Sequence, residues 1–200
     1  MNRVFYIFRH GETDWNREKR CQGHTNTILN KQGIQQAEEL ALKMLDFHMD
    51  IIVSSDLSRA MSTGAMVAGK KGIAMSIDPR LREMSYGEAE GMLYDEAIAL
   101  YGEEIWAKLQ CFKRENDHVG FPSGETRKIS RERFHEVLIE LLEKTTYQAI
   151  GISTHGGVLR NILHSFLPEN HSILPIPNCV VYKCEYLKEE KLFVVDPNPL

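Results

Sequence analysis

The chain has 200 residues, of which 42% are hydrophobic and 26% charged, a balance that excludes a disordered or membrane-embedded protein and suits one globular domain with a full core. With 24 basic residues against 28 acidic ones, its formal charge of -4 excludes a generally basic, nucleic-acid-binding surface, so an anionic ligand has to be met by a local cluster. No run of about 20 apolar residues could span a membrane. The first apolar run, residues 4–8, is cut by Arg9 and has no small-residue cleavage site, so a cytoplasmic location without membrane contact is expected.

In chain order, residues 4–8 read as a strand buried on both faces, followed by an amphipathic helix behind an N-cap at Asn30, with Ile34, Ala37, Ala41, Met44 and Leu45 on its apolar face. A second strand is expected at 51–53 and a second helix after Asp56, carrying Leu57, Ala60, Met61, Ala65 and Ala68 inward. A short strand follows at 74–77. The segment 85–126 breaks the alternation and reads as a helical insertion carrying Tyr86, Tyr94, Tyr101, Trp106, Phe112 and Phe121, closing in the loop Phe121-Pro122-Ser123-Gly124-Glu125. A helix over 127–144 buries Phe134, Val137, Leu138, Leu141 and Leu142, and leads to a third buried strand at 149–152. Residues 179–186 and 192–195 flank Lys188-Glu189-Glu190-Lys191 as an edge hairpin. This order predicts an α/β fold: a three-layer α/β/α sandwich whose mostly parallel central sheet has an antiparallel edge, with the insertion over the active site.

Cys21, Cys111, Cys179 and Cys184 are scattered without a C-x-x-C pair, which favours reduced thiols. Cys179 and Cys184, an odd number apart, would face opposite sides of one strand.

Ligands of open α/β sheets sit beyond the carboxyl ends of the strands, so the residues that follow each apolar run decide the chemistry. They are Arg9-His10-Gly11, then Ser54-Ser55-Asp56 with Arg59 one turn into the helix, then Ser153-Thr154-His155-Gly156-Gly157. Two guanidiniums supply forked donors for a phosphoryl group, and Gly11 with Gly156-Gly157 would let backbone N–H groups face the anion. A neutral imidazole is a competent nucleophile toward phosphorus, and a second one can donate to the phosphoryl oxygens. The leaving alkoxide needs a proton, and Glu83 at the start of the insertion is placed to give it.

Phe8-Arg9-His10-Gly11-Glu12-Thr13 with Asn16 resembles the signature of the histidine phosphatase (phosphoglycerate mutase-like) superfamily. Further blocks match in order: Gln22-Gly23-His24-Thr25, Ser55-Asp56-Leu57-Ser58-Arg59-Ala60, Leu81-Arg82-Glu83 with Gly87-Glu88 and Glu90-Gly91, Pro122-Ser123-Gly124-Glu125, and the stretch from Ser153 to Arg160. The resemblance spans nearly the whole chain and implies a single histidine phosphatase-like domain over 1–200, with 85–126 as its cap. It implies His10 as nucleophile, Arg9, Arg59 and His155 as the phosphate pocket, and Glu83 as proton donor and later base. Asn16, Gln22, Gly23 and Gly156 would add substrate or phosphate contacts. Where the family often has Asp-x-Pro-Leu-Thr, this chain has Asn26-Thr27-Ile28-Leu29-Asn30, a departure that touches loop geometry only.

The expected activity is metal-independent hydrolysis of small-molecule phosphate monoesters by a histidine acid-type phosphatase with no cofactor. A phosphoglycerate mutase shares the machinery; family mutases look longer, whereas this chain stops just past its last strand candidate, which favours hydrolysis. A silent phospho-ligand binder is disfavoured by His10 and Glu83, and a metal hydrolase by the lack of ligand spacing. Arg17, Lys19 and Arg20 read equally as a steering patch or a solvated face. His24, His48, His118, His135, His164 and His171 are assigned surface or packing roles.

Overall fold

Strands with apolar side chains on both sides form the interior of the sheet, and the helices between them cover its faces. The computed structural model describes residues 2–200. β1 (Arg3–Arg9) sends Phe5 and Ile7 to one face and Tyr6 and Phe8 to the other, and all four are buried. α1 (Asp14–Arg17) is one turn, closed by a reciprocal capping box between Thr13 and Asn16. α2 (Lys31–Lys43) starts on Asn30, whose side chain accepts the Gly33 N–H as expected. β2 (Ile51–Ser54) is followed by α3 (Ser58–Lys71) and the exposed edge strand β3 (Ala74–Ile77). α4 (Tyr94–Tyr101) and α5 (Glu103–Gln110) lie within the insertion. The chain then runs through α6 (Arg127–Lys144), β4 (Ala149–Thr154), α7 (Gly156–Ser165), β5 (Val181–Leu187) and β6 (Leu192–Val195).

The six strands pair in the order β3-β2-β4-β1-β5-β6. β3, β2, β4 and β1 are parallel; β5 runs antiparallel to β1, and β6 to β5. The parallel sheet and its antiparallel edge are as the sequence pattern implies. On one face, Phe134 and Leu138 of α6 and Val158, Leu159 and Ile162 of α7 pack on Phe5, Ile7, Ile150 and Ile152. On the other, Leu40 and Ala41 of α2 and Val67 and Ala68 of α3 pack on Phe8 and Ile52. The insertion keeps a small core of its own around Met84, Ala97, Leu109 and Phe121.

Three local expectations are corrected. The buried face of α2 is Gly33, Ala37, Leu40 and Ala41, while Ile34 and Leu45 are exposed, because Gly33 has to lie against the Gly11–Glu12 backbone: a Cβ on Gly33 would stand 2.0 Å from the Glu12 carbonyl. That contact fixes the rotation of the helix. On α3 the inward side carries Arg59 and Thr63 beside Ala60, and Ala65 is exposed. Cys179 precedes β5 at a left-handed φ of 58°, so the shared-strand argument with Cys184 does not apply; all four cysteines are free. Among the described residues no helix is long and apolar enough to cross a membrane.

Candidate active site

The three strands whose ends carry the expected chemistry, β1, β4 and β2, are neighbours in register: Arg9 lies opposite Thr154, and Ser54 opposite Ser153. Their hydroxyl side chains are spent on holding the edge together. Ser153 Oγ donates to the Ala60 carbonyl, and Thr154 Oγ1 to the Leu81 carbonyl, both at 2.8 Å. His10 and His155 therefore emerge from a fixed edge, with ring centroids 5.1 Å apart at 61°.

His10 is buried, and its Nδ1 lies 2.6 Å from the Gly11 carbonyl oxygen. A carbonyl only accepts, so Nδ1 carries the proton and Nε2 keeps the lone pair. Burial, reinforced by Arg59 and Arg9, holds this ring well below the ordinary histidine range, so it stays neutral at physiological pH. From behind, the Asn178 Nδ2 and the Cys179 N–H both donate to the His10 carbonyl.

His155 is fully buried, its Nε2 lying 2.8 Å from Ser55 Oγ. Ser55 Oγ already accepts the Leu57 N–H, and His155 Nε2 is the acceptor available to its hydroxyl proton. The ring proton is thereby assigned to Nδ1. Burial, then Arg59, likewise keep this histidine neutral.

Arg59, fully buried with no carboxylate partner, is aimed by two carbonyls: Nη1 donates to Thr25 O and Nη2 to Gly23 O, each at 2.8 Å. Arg9 Nη1 donates to the Ile176 carbonyl at 2.6 Å. Burial lowers both guanidiniums, Arg59 to about 10, so both remain charged near neutrality. Among the described residues four buried donors are left without partners, and three of them, Arg9 Nε, Arg59 Nε and His155 Nδ1, belong to the side chains grouped with His10. Buried donors are rarely left unmet, and a set belonging to two guanidiniums and an imidazole beside His10 fits a tetrahedral anion.

Glu83 lies against the start of α7. Its Oε2 accepts the Gly157 N–H at 2.8 Å, and its Oε1 accepts the Val158 and Met84 N–H groups at 2.7 and 2.9 Å. Gly157 is required for this contact, since a Cβ there would stand 2.8 Å from Glu83 Oε1. Arg133 of α6 clamps the same segment by donating to the carbonyls of Arg80, Arg82 and Glu83. The expectation that N–H groups after the glycines face the anion is therefore corrected. Those of Gly157 and Val158 hold Glu83, and that of Gly11 donates to Thr63 Oγ1 at 3.1 Å.

His10, Arg9, Arg59 and Glu83 face one cavity of about 410 Å³. Tyr94, Trp106 and Phe112 of the insertion line it together with them. His155 sits behind the wall. Asn16 and Gln22 line the cavity with their amide oxygens turned inward, to Thr13 and, for Gln22, also Thr27. Gly156 lines it as well, packed so closely on Arg9 that a Cβ would be 3.1 Å from Nε. Gly23 contributes its carbonyl to Arg59 and does not line the cavity; at a φ of 53° it passes under Glu90, which ties down the His24 and Thr25 N–H groups. Of the basic loop, Arg20 reaches the cavity wall, while Arg17 pairs with Asp14 in solvent. Among the described residues no cluster of three His, Cys, Asp or Glu side chains could hold a metal ion.

Ser55 has a role that its residue type alone does not announce, although its place at the end of β2 beside His155's strand is a usable signal. Arg127 is likewise unannounced except as a cation at the first position of a helix, where the helix dipole opposes positive charge.

A family model described as the histidine phosphatase superfamily (branch 1) matches residues 5–196. Phosphoglycerate mutase-like protein 4 of Arabidopsis thaliana is 33% identical over 178 residues, covering 88% of this chain and 76% of that protein. Among solved structures, the α-ribazole phosphatase of Shigella flexneri is 25% identical with a TM-score of 0.80, covering 96% of this chain and 94% of that one. A mycobacterial glucosyl-3-phosphoglycerate phosphatase shares the fold at 23% identity, with a TM-score of 0.84 and 97% coverage of both chains.

Proposed function

Because the chain belongs to the histidine phosphatase superfamily, we propose that it hydrolyses small-molecule phosphate monoesters in two half-reactions through a phosphohistidine on His10. The observation that carries this reading is the bond from His10 Nδ1–H to the Gly11 carbonyl, which leaves Nε2 of a buried, neutral ring as the nucleophile. Nε2 attacks phosphorus as the ester P–O bond breaks, and the departing oxygen takes a proton from the Glu83 carboxyl group. Arg9, Arg59 and His155 Nδ1–H meet the charge on the three equatorial oxygens. His10 keeps its Nδ1 proton, so the phosphorylated ring is positively charged, which makes it a good leaving group for the second step. Water then gives a proton to the Glu83 carboxylate and attacks phosphorus, the N–P bond breaks, and inorganic phosphate leaves a neutral His10. No step calls on a metal or a cofactor. The chain's four free thiols favour a cytoplasmic setting.

Rapid acid-free quenching after mixing with a labelled ester should trap one acid-labile phosphoryl group on His10. His10→Ala should lose the label and lower kcat on the order of 10⁵-fold; a label that persists in the variant would relocate the nucleophile. The Arabidopsis relative's name favours a second reading, a mutase. Incubation with 3-phosphoglycerate and its bisphosphate primer separates the two: fast 2-phosphoglycerate formation with little free phosphate would replace hydrolysis by transfer.

A further inference from the structure

The cavity holds more positive charge than a phosphoryl group needs. Arg9, Arg59, Arg127 and Arg160 all line it, and among the described residues none of the four forms an ion pair. Glu83 is the one carboxylate on the wall, and both site histidines are neutral. Arg20 on the wall is already paired with Glu18, and the four unpaired guanidiniums against one carboxylate exceed the two negative charges of a phosphate monoester.

The excess is carried by Arg127 and Arg160. Arg127 opens α6, leaves only 2% of its surface exposed, and is bonded through Nη1 to the carbonyls of Cys111 and Lys108. Its guanidinium stacks 4.3 Å above the Phe112 ring, and its Nε has no partner. Burial lowers it to about 10, so it is charged at neutral pH. A buried cation without a counter-ion, placed where the helix dipole opposes it, is unfavourable in the empty protein and becomes favourable once an anion arrives. Arg160, on the second turn of α7, uses its Nε on the Leu174 carbonyl and lines the same cavity. Between them Asn161 donates to the Arg127 carbonyl and leaves a buried Oδ1 unmet, an acceptor suited to a hydroxyl.

We propose that Arg127 and Arg160 form a second anion subsite, so that the preferred substrate is a phosphate monoester whose leaving group carries a carboxylate or a second phosphate at its far end. This rests on the hydrolase reading for what happens at His10, but the binding it describes does not. Tyr94, Trp106 and Phe112, which line the same cavity, then pack on the carbon chain joining the charges.

Titration calorimetry with non-hydrolysable alkylphosphonates tests it directly. Matched chains ending in methyl, carboxylate or phosphonate should bind the intact protein in two classes, the anion-ended ones at least roughly tenfold tighter. Comparison of the carboxylate and phosphonate arms identifies which anion is preferred. Arg160→Gln and Arg127→Gln should each shrink that advantage several-fold. Since Arg127 also ties α5 to α6, Arg160→Gln decides if the other variant misfolds. Equal affinity for all three chain ends, or an advantage that survives in the folded variants, overturns the subsite. Phosphohistidine trapping with a methyl-ended ester reports separately on the hydrolase, so failure of one reading cannot be mistaken for failure of the other.

Discussion

At the phosphate end of the cavity the functional side chains, from strand ends, a helix start and, for Glu83, a loop, are each pinned by main-chain atoms. His10 is held by the Gly11 carbonyl, Arg59 by Gly23 and Thr25, Arg9 by Ile176, and Glu83 by three N–H groups. At the other end the wall comes from the insertion, whose rings meet face to edge or tilted, Tyr94 on Trp106 at 5.0 Å and Tyr101 on Phe121 at 5.3 Å. Main-chain anchors fix position to a fraction of an ångström, whereas ring contacts are broad and tolerate a changed partner. On the proposed hydrolase reading, the bond-breaking geometry is independent of the leaving group, and selection among esters falls to the insertion together with Arg127 and Arg160.

Substitutions that strike one end and not the other sharpen this contrast. The largest effect after loss of the nucleophile is expected for Glu83→Gln, about 10²–10⁴-fold in kcat for esters with poor leaving groups. An activated aryl phosphate, which departs without a proton, should suffer less in its phosphorylation step. Equal losses on the two ester types would argue against an acid. Arg59→Lys should reduce kcat/KM roughly 10²-fold for every ester alike, because a point charge cannot keep the Gly23 and Thr25 carbonyls and also serve the phosphoryl group. A ranking of esters that changes with this variant would blur the division between the ends.

Ser55→Ala should cost about tenfold, the value of one hydrogen bond that sets a tautomer. Nitrogen chemical shifts of His155 should reveal the ring proton moving between Nδ1 and Nε2, a change that simple loosening of the fold would not produce. The same neutrality governs pH. His10 must be unprotonated to attack, and it lies well below 6.5 in the folded protein. Corrected for substrate ionisation, kcat/KM should therefore hold steady as pH drops through 6.5 and decline only in distinctly more acidic solution; a limb centred at 6.5 would mean an ordinary, hydrated imidazole. Smallest of all, Trp106→Ala should leave phosphohistidine formation from the smallest esters within a few-fold of wild type, while reordering preference among bulky ones.

The same division explains what the sequence could convey. Runs buried on both faces, at residues 4–8, 51–53 and 149–152, announce interior parallel strands, and the residues just past them supply His10, Arg59 and His155. Where side chains meet by long-range packing, the pattern is silent. Nothing local tells that Gly33 turns Ile34 outward by resting on Gly11–Glu12, or that the Gly157 N–H serves Glu83 instead of the anion. The insertion, with its aromatic residues at no single period, showed its presence but not the faces its rings would share. Arg127 looked like an ordinary first-turn residue, because the want of a counter-ion becomes visible only once its neighbours are known.

The strand order has a consequence for how the chain reaches this state. β1 and β2 are never neighbours; β4 wedges between them, pairing Ala149 with Val4 and Ile150 with Ile51. Closing a loop of about 145 residues costs on the order of 4 kcal/mol of chain entropy before the first of those pairings contributes anything. During synthesis the first strand must wait with both edges unpaired until the last third of the protein has left the ribosome, a slow and aggregation-exposed route.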